Sequence, residues 1–314
     1  MDERATTNGC PPGPGITLVL GGGGARGLAH LGVLRVLEES GIPIGAVVGN
    51  SAGAVMGAVW LQRESAAEAA DHVLGFLRSP QFARLGLSQS DPRQNGSRAR
   101  PMVARILSGW RRQVAMHLLF RRPALFHRRR LELLIHAAIQ PGRIESLRLP
   151  LRIVALDLRS GDEVVLAQGD LRLSLTASAA VAGFFPPVAL DGRELIDSGL
   201  ADNLPVDAAL AGFGRPLVAV NLSHEIDERL DFATGIEMLL RSEELGSRFN
   251  CRLRAARADL QIAPRLGGRY WLDFTHPESI VAAGEAAARE ALPSLRALLS
   301  AIPSAPPVAR GRAD

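Results

Sequence analysis

Apolar positions along the chain follow two alternating rhythms. "ITLVL" (16–20) is a short apolar run that breaks into the glycines of "GGGGARG", after which Leu28, Leu31, Leu34 and Leu37 recur at helical spacing and predict a helix over 25–39. "GAVVG" repeats the first rhythm as a second strand, with a second helix opening at Ser51. Strand, glycine turn, helix, strand, turn, helix is the order that builds a parallel sheet with crossover helices. Residues 64 to 140 read as helical, with breaks at "SPQ", "SDPRQNGS" and "RRPALF", and so predict a helical insertion over one edge of the sheet. Strand-type runs resume at "LRIVALDL", "EVVLAQ", "ELIDSG" and "PLVAVNLS", and "DLQIAP" follows a helical stretch from about 227 to 256. The expected fold class is α/β, a mostly parallel sheet flanked by helices. Residues 42 to 61 have the length of a membrane span, but Asn50 and Ser51 interrupt them, and a strand followed by a buried helix is the expected reading.

With 314 residues, 47% of them hydrophobic and 22% charged, the chain has globular values, and one domain over 16–300 is expected. The leader 1–15 ends in prolines and glycines without an apolar h-region, so it reads as flexible and not as a secretory signal, and the tail 301–314 is similar. Cys10 and Cys251 provide neither a disulfide framework nor a metal-ligand spacing, so a reducing, cytoplasmic setting is expected, with no metal and no cofactor. All 36 basic residues are arginine. Ten of them fall between Arg98 and Arg130 with no acid among them, while the other 26 face all 32 acidic residues. The net charge of +4 is therefore a local property, and a general nucleic-acid partner is not implied.

Two glycine motifs stand at the ends of the first two strands. Gly22, Gly24 and Gly27 spell G-x-G-x-x-G, which suggests a dinucleotide site only if an acid closes the following strand. Glu38 and Glu39 come too early, and the strand closes on "VVGNSAG" instead. A glycine turn before a helix also offers unpaired N–H groups to an oxyanion, and the second motif favours that use. Gly49, Ser51 and Gly53 spell G-x-S-x-G, the sharp strand-to-helix turn that lifts a nucleophilic hydroxyl clear of its backbone. A base is needed. His30, His72, His117, His127, His136 and His276 lie in helical stretches or before a proline, and only His224, after "PLVAVNLS", has the position of a triad histidine. "ELIDSGLADNLPV" offers Asp197, on a strand running into the tight turn of Ser198 and Gly199.

"GGGGARG", then "GNSAG", then "TASAAVAGFFPPVALDGRELIDSGLADNLPV", in that order, resembles the patatin-like phospholipases from about residue 16 past "DLQIAP". The resemblance implies an α/β-hydrolase-related fold and a serine acyl hydrolase acting on phospholipids, lysophospholipids or other acyl esters through a Ser–Asp dyad. By position, Ser51 is then the nucleophile and Asp197 its partner, and Gly22, Gly23, Gly24, Arg26 and Gly27 make the oxyanion and substrate turn. Gly49, Gly53 and Gly199 shape the elbow and the aspartate turn. A Ser-His-Asp triad through His224 and a non-catalytic nucleotide- or ligand-binding domain are the alternatives. Two positions depart from the family pattern. Ser198 replaces a glycine, which adds about 1 kcal/mol of strain if that turn needs φ > 0, and Ala182 replaces a proline. Leu195, Ile196 and Leu200 are expected to bury Asp197 and raise its pKa. The arginine block 98–130 has two readings, a solvated helical face or a peripheral contact with anionic membrane.

Overall fold

The computed structural model describes residues 13–87, 124–223 and 235–301. His117, His224, Cys10 and the arginines from Arg98 to Arg122 lie outside the described residues. Among the described residues, eight strands form one sheet: β1 (Ile16–Leu20), β2 (Ile44–Asn50), β3 (Leu151–Asp157), β4 (Glu163–Leu166), β5 (Val188–Leu190), β6 (Arg193–Ile196), β7 (Leu217–Val220) and β8 (Leu260–Ile262). Their order is β5-β6-β3-β2-β1-β7-β8, with β4 on β3. The centre is parallel, β3 to β2 to β1 to β7 to β8, whereas β4, β5 and β6 pair antiparallel. The sheet is therefore mixed and mostly parallel.

The helices are α1 (Ala29–Glu39), α2 (Ala52–Leu61), α3 (Ala66–Leu77), α4 (Pro80–Leu85), α5 (Arg128–Ala138), α6 (Leu171–Ser178), α7 (Val206–Gly212), α8 (Gly235–Ala255) and α9 (Pro277–Ser300). Side chains of the central strands alternate between two cores. Leu18, Leu20, Val47 and Ile153 pack with α1, α2 and α9 on one face, and Val19, Val48 and Val154 pack with Leu204, Val206 and Cys251 on the other. Burial on both faces is what a parallel sheet requires, and each Leu, Ile or Val so placed stabilises by about 1.5–3 kcal/mol. The apolar stretch 42–61 is strand β2 followed by α2, whose residues from Gly53 to Leu61 are all buried. No helix among the described residues is long and apolar enough to cross a membrane. The "SPQ" break is a helix boundary, where the Ser79 hydroxyl accepts from the Phe82 N–H at 3.3 Å and Pro80 takes the first turn of α4.

The loops after the C-terminal ends of β1 and β2 lie where the strand order runs one way to β2 and β3 and the other way to β7. Crevices of open α/β sheets form at such a reversal.

Candidate active site

The second strand delivers Ser51 into a strained elbow. Its φ of 51° and ψ of −125° fall outside the regions an L residue populates freely, which costs on the order of 1–3 kcal/mol. The flanking glycines permit this geometry by letting α2 lie against the strand ends. A Cβ at Gly49 would stand 2.6 Å from the Ala54 backbone, and one at Gly53 would stand 2.2 Å from the Leu20 carbonyl oxygen. The Ser51 N–H donates to Ser178 Oγ at 2.9 Å, and that hydroxyl donates to the Val154 carbonyl at 2.6 Å, so α6 and β3 together hold the elbow. Ser51 is 7% exposed and opens α2, whose N-terminus favours negative charge nearby.

The glycine turn separates into two parts. Gly22 is closed from above, because its N–H donates to the Asn203 carbonyl at 2.9 Å and a Cβ would collide with Asn203 Oδ1 at 2.2 Å. Gly27 is a close approach, its missing Cβ lying 2.5 Å from that of Ala52. Between them, the N–H groups of Gly23 and Gly24 take no hydrogen bond among the described residues. Gly24 has φ 58°, and a Cβ there would meet the Trp271 carbonyl oxygen at 2.2 Å. Arg26 folds back so that its Nε donates to the Gly23 carbonyl at 3.3 Å. Buried His30 holds the turn from below, with Nε2 2.7 Å from the Gly21 carbonyl; desolvation pushes its pKa down to about 4, leaving it neutral.

Asp197 arrives from the antiparallel side. In β6, Ile196 pairs with Leu156 of β3, so the next residue runs back toward Val154, which is the partner of Asn50 at the end of β2. Register thus carries the aspartate across the sheet to the elbow. Its N–H donates to the Ala180 carbonyl at 3.0 Å, and its Oδ1 accepts from the Gly199 N–H at 2.7 Å. The carboxyl is 7% exposed, and burial pushes its pKa up from 3.8 to about 6 against hydrogen bonds from the Ser51 hydroxyl, the Gly199 N–H and the Asn50 side chain.

Two expectations about this turn are corrected. Ser198 does not adopt a positive φ, so it carries no left-handed strain. Its buried hydroxyl instead donates to Asn50 Oδ1 at 2.9 Å, with the Asp202 carbonyl also at 3.0 Å. Leu200, expected to be buried with Leu195 and Ile196 around Asp197, is 50% exposed, whereas those two are buried.

A cavity of about 1070 Å³ joins these parts, lined by Gly23, Gly24, Arg26, Ser51, Asp197 and Gly199 on one side. Val55, Met56, Phe76, Leu131, Ile135, Phe184 and Phe274 give it an apolar interior, and Arg241, Glu244, Ser247 and Arg248 of α8 form another wall. None of the described histidines lines it. Among the described residues no group of His, Cys, Asp or Glu could hold a metal ion. Sequence reasoning quoted Asn50, Ser178 and Asn203 inside its motifs without assigning them. Asn50 Nδ2 lies 3.4 Å from Asn203 Oδ1, and Asn203 Nδ2 donates to the Gly22 carbonyl at 3.3 Å, so these amides join elbow, aspartate turn and glycine turn.

A family model described as patatin-like phospholipase matches residues 18–210. Patatin-like phospholipase domain-containing protein 6 of Mus musculus is 30% identical over 212 residues, 67% of this chain and 14% of that protein. Lysophospholipase NTE1 of Mycosarcoma maydis is 33% identical over 223 residues, 71% of this chain and 10% of that one. An uncharacterized NTE family protein of Mycobacterium tuberculosis is 32% identical over 211 residues, 67% of this chain and 49% of that one. The match spans less than two thirds of each of these relatives.

Proposed function

The chain belongs to the patatin-like phospholipase family, and from that premise we propose that it is a serine acyl hydrolase of lipid esters that works through a Ser51–Asp197 dyad. The observation that carries this reading is a strained, buried serine within reach of a buried carboxylate, both lining one large cavity. The names of relatives as phospholipase and lysophospholipase support a lipid ester as the substrate class. The proposed domain is 16–300, with a helical insertion over 64–140.

In the first step Asp197 takes the Ser51 proton as Oγ bonds to the ester carbonyl carbon. The carbonyl electrons move onto oxygen, and that charge is met by the N–H groups of Gly23 and Gly24, which donate to no described residue, together with the N-terminus of α2. Collapse expels the alcohol, which takes the proton from Asp197. A water, deprotonated by the same carboxylate, then releases the fatty acid and regenerates Ser51. Burial that lifts Asp197 to about 6 makes it a stronger base than an exposed aspartate while leaving it ionised at neutral pH. Activity should therefore rise with pH through about 6. The arginine block 98–130 is proposed to meet anionic lipid, and binding through it should weaken as salt rises.

Ser51→Ala tests the nucleophile. Esterase activity and labelling by a fluorophosphonate probe should both vanish with the fold retained, and residual activity above roughly a tenth of wild type would exclude Ser51. His224→Ala should keep most activity while Asp197→Asn loses nearly all. A loss of about a thousandfold or more in both variants replaces the dyad with a triad.

A further inference from the structure

Among the described residues four arginines line the cavity, and three of them have partners. Arg26 Nε donates to the Gly23 carbonyl at 3.3 Å, and Arg241 pairs with Glu244 at 2.8 Å. Arg269 donates through Nη1 to the Thr275 carbonyl at 2.8 Å and through Nη2 to the Ser279 hydroxyl at 3.2 Å. Arg248 is the exception. Its Nη1 is buried without a hydrogen-bond partner, and no described residue pairs with its guanidinium. The acid one helical turn before it, Glu244, is the one that Arg241 holds. A guanidinium carries five N–H donors in a planar fork and no acceptor, and a buried donor of this kind calls for an anion to meet it.

The place of Arg248 says which anion. The residue before it, Ser247, donates its hydroxyl to the Gly199 carbonyl at 2.6 Å, and the Gly199 N–H donates to Asp197 Oδ1 at 2.7 Å. Helix α8 is therefore fastened at this point to the turn that holds the carboxylate. In the proposed reaction the departing alcohol takes its proton from Asp197, so the alcohol lies on the Asp197 side of Ser51. The apolar lining comes from other helices. Val73 and Phe76 of α3 and Leu131, Leu134 and Ile135 of α5 face the cavity, and neither helix adds a charged side chain to it. An acyl chain belongs among those residues, which leaves the alcohol to extend toward α8. In a phospholipid that alcohol carries a phosphate on the same glycerol as the scissile ester, within the span of an arginine side chain.

We propose that Arg248 selects lipid esters whose alcohol carries a phosphate, by pairing its guanidinium with the phosphate oxygens of the departing headgroup. The assignment rests on the acyl hydrolase reading of the same cavity and gives its headgroup recognition to one side chain. Two phosphate oxygens meet the guanidinium fork in parallel and form short, charge-assisted bonds. Glycerol or sugar hydroxyls bring no charge to the same fork. Because Arg248 is half-buried, solvent and salt screen the pairing less than they screen an exposed pair. Arg248 neither gives nor takes a proton in the reaction: the bond that breaks is the one between the acyl carbon and the alcohol oxygen, and the arginine binds and orients that alcohol.

The test compares the full chain with Arg248→Gln and Arg248→Lys on two substrates of one acyl chain, a lysophosphatidylcholine and the matching monoacylglycerol, both kept below aggregation. Wild type should prefer the lysophospholipid, and Arg248→Gln should cut the ratio of the two kcat/KM values by at least about tenfold, chiefly through KM for the phosphate-bearing substrate. Arg248→Lys keeps the charge without the fork and should recover part of the ratio. Binding is read apart from turnover, as the rise in Tm on adding an ether analogue of the lysophospholipid, the matching alkylglycerol or inorganic phosphate. The ether analogue should raise the Tm of wild type well above that of Arg248→Gln. Without ligand Arg248→Gln should be no less stable than wild type, since it loses a buried donor that has no partner. A purely structural arginine gives the reverse, a fall in ligand-free stability with the ratio kept, and that result overturns the proposal. So does a ratio changed by less than about twofold, or an ether analogue that binds Arg248→Gln as it binds wild type. If inorganic phosphate raises the Tm as much as the ether analogue does, the ligand is free phosphate and the headgroup assignment falls. If wild type hydrolyses neither substrate, the acyl hydrolase reading fails, while the ether analogue still decides the role of Arg248.

Discussion

Replacing Asp197 by Asn should stabilise the protein while inactivating it. The carboxyl is buried, and desolvation raises its pKa from 3.8 to about 6. An acid whose pKa is higher in the folded state binds its proton more tightly there, so between these two values the native state holds more protons than the unfolded one and stability falls as pH rises. Below about 3.8 both states are protonated and nothing is lost; above about 6 the full penalty applies. That gap, at about 1.36 kcal/mol per pH unit, amounts to about 3 kcal/mol. Asn keeps the shape and an oxygen for the Gly199 N–H at 2.7 Å, while removing the buried charge. It gives up the proton acceptor for Ser51 and weakens the bond from the Asn50 side chain, so about 1–3 kcal/mol of net stabilisation is expected at neutral pH.

The assay is urea unfolding of wild type and Asp197→Asn at about pH 4 and about pH 7.5, with the free energies compared at each pH. Other titrating groups are common to both proteins, so the change in the difference isolates Asp197. The variant's advantage should be small at the acid end and reach about 1–3 kcal/mol at the neutral end, alongside a loss of nearly all esterase activity. A variant that is less stable than wild type at neutral pH, or an advantage that shrinks as pH rises, would refute the claim that burial of a charged carboxylate is the dominant feature of this site.

Three other outcomes are expected. Ser198→Ala leaves the oxygen of buried Asn50 without its 2.9 Å donor, so unfolding free energy should fall by about 1–3 kcal/mol and kcat should drop with KM little changed; an unaltered kcat would show that this hydroxyl does not orient the aspartate turn. Ala182→Pro should raise stability by about 0.4–1 kcal/mol in thermal unfolding, because Val181 to Phe184 form a turn closed by a 3.0 Å bond with Gly183 at φ 78°, in which Pro suits the second position; a lowered Tm would mean that the turn is not of that type. Glu163 is pushed up to about 8 by burial and by Asp202 beside it, so wild-type stability should decline from about pH 5 toward 8, and Glu163→Gln should flatten that decline; an unchanged slope would place the titration elsewhere.

The parts legible in the sequence were those set by local chemistry. "ITLVL" and "GAVVG" could hardly be other than buried strands, and the glycines around Ser51 and after Leu20 announced backbone approaches that a Cβ would block. What stayed hidden depended on residues far apart in the chain. Strand β5 and helix α7 are only three and seven residues long, too short for a local period to show, and the antiparallel entry of β6 is fixed by its pairing with β3, not by its own four residues. The same distance hid Ser178, whose hydroxyl supports an elbow 127 residues away, and it misled over Ser198 and Leu200. A glycine-like turn suggested strain at Ser198, where the chain in fact places a hydrogen bond to Asn50. Apolar character suggested burial at Leu200, where the structure exposes half the side chain.

These two corrections share a cause. The turn from Asp197 to Asn203 must hold its carboxylate dry and its neighbour wet, and it does so with a polar network on the inside and an apolar tip on the outside. Ser198, Asn50 and Asn203 are buried or half-buried amides and a hydroxyl, each satisfied by another member or by the glycine turn. A satisfied network of that kind fixes geometry, because every alternative arrangement leaves a buried group unpaired. Holding Asp197 rigid in this way lets burial raise its basicity without allowing it to swing toward water and recover its ordinary pKa. Leu200, at the tip of the turn, takes no part in that polar network and is half exposed.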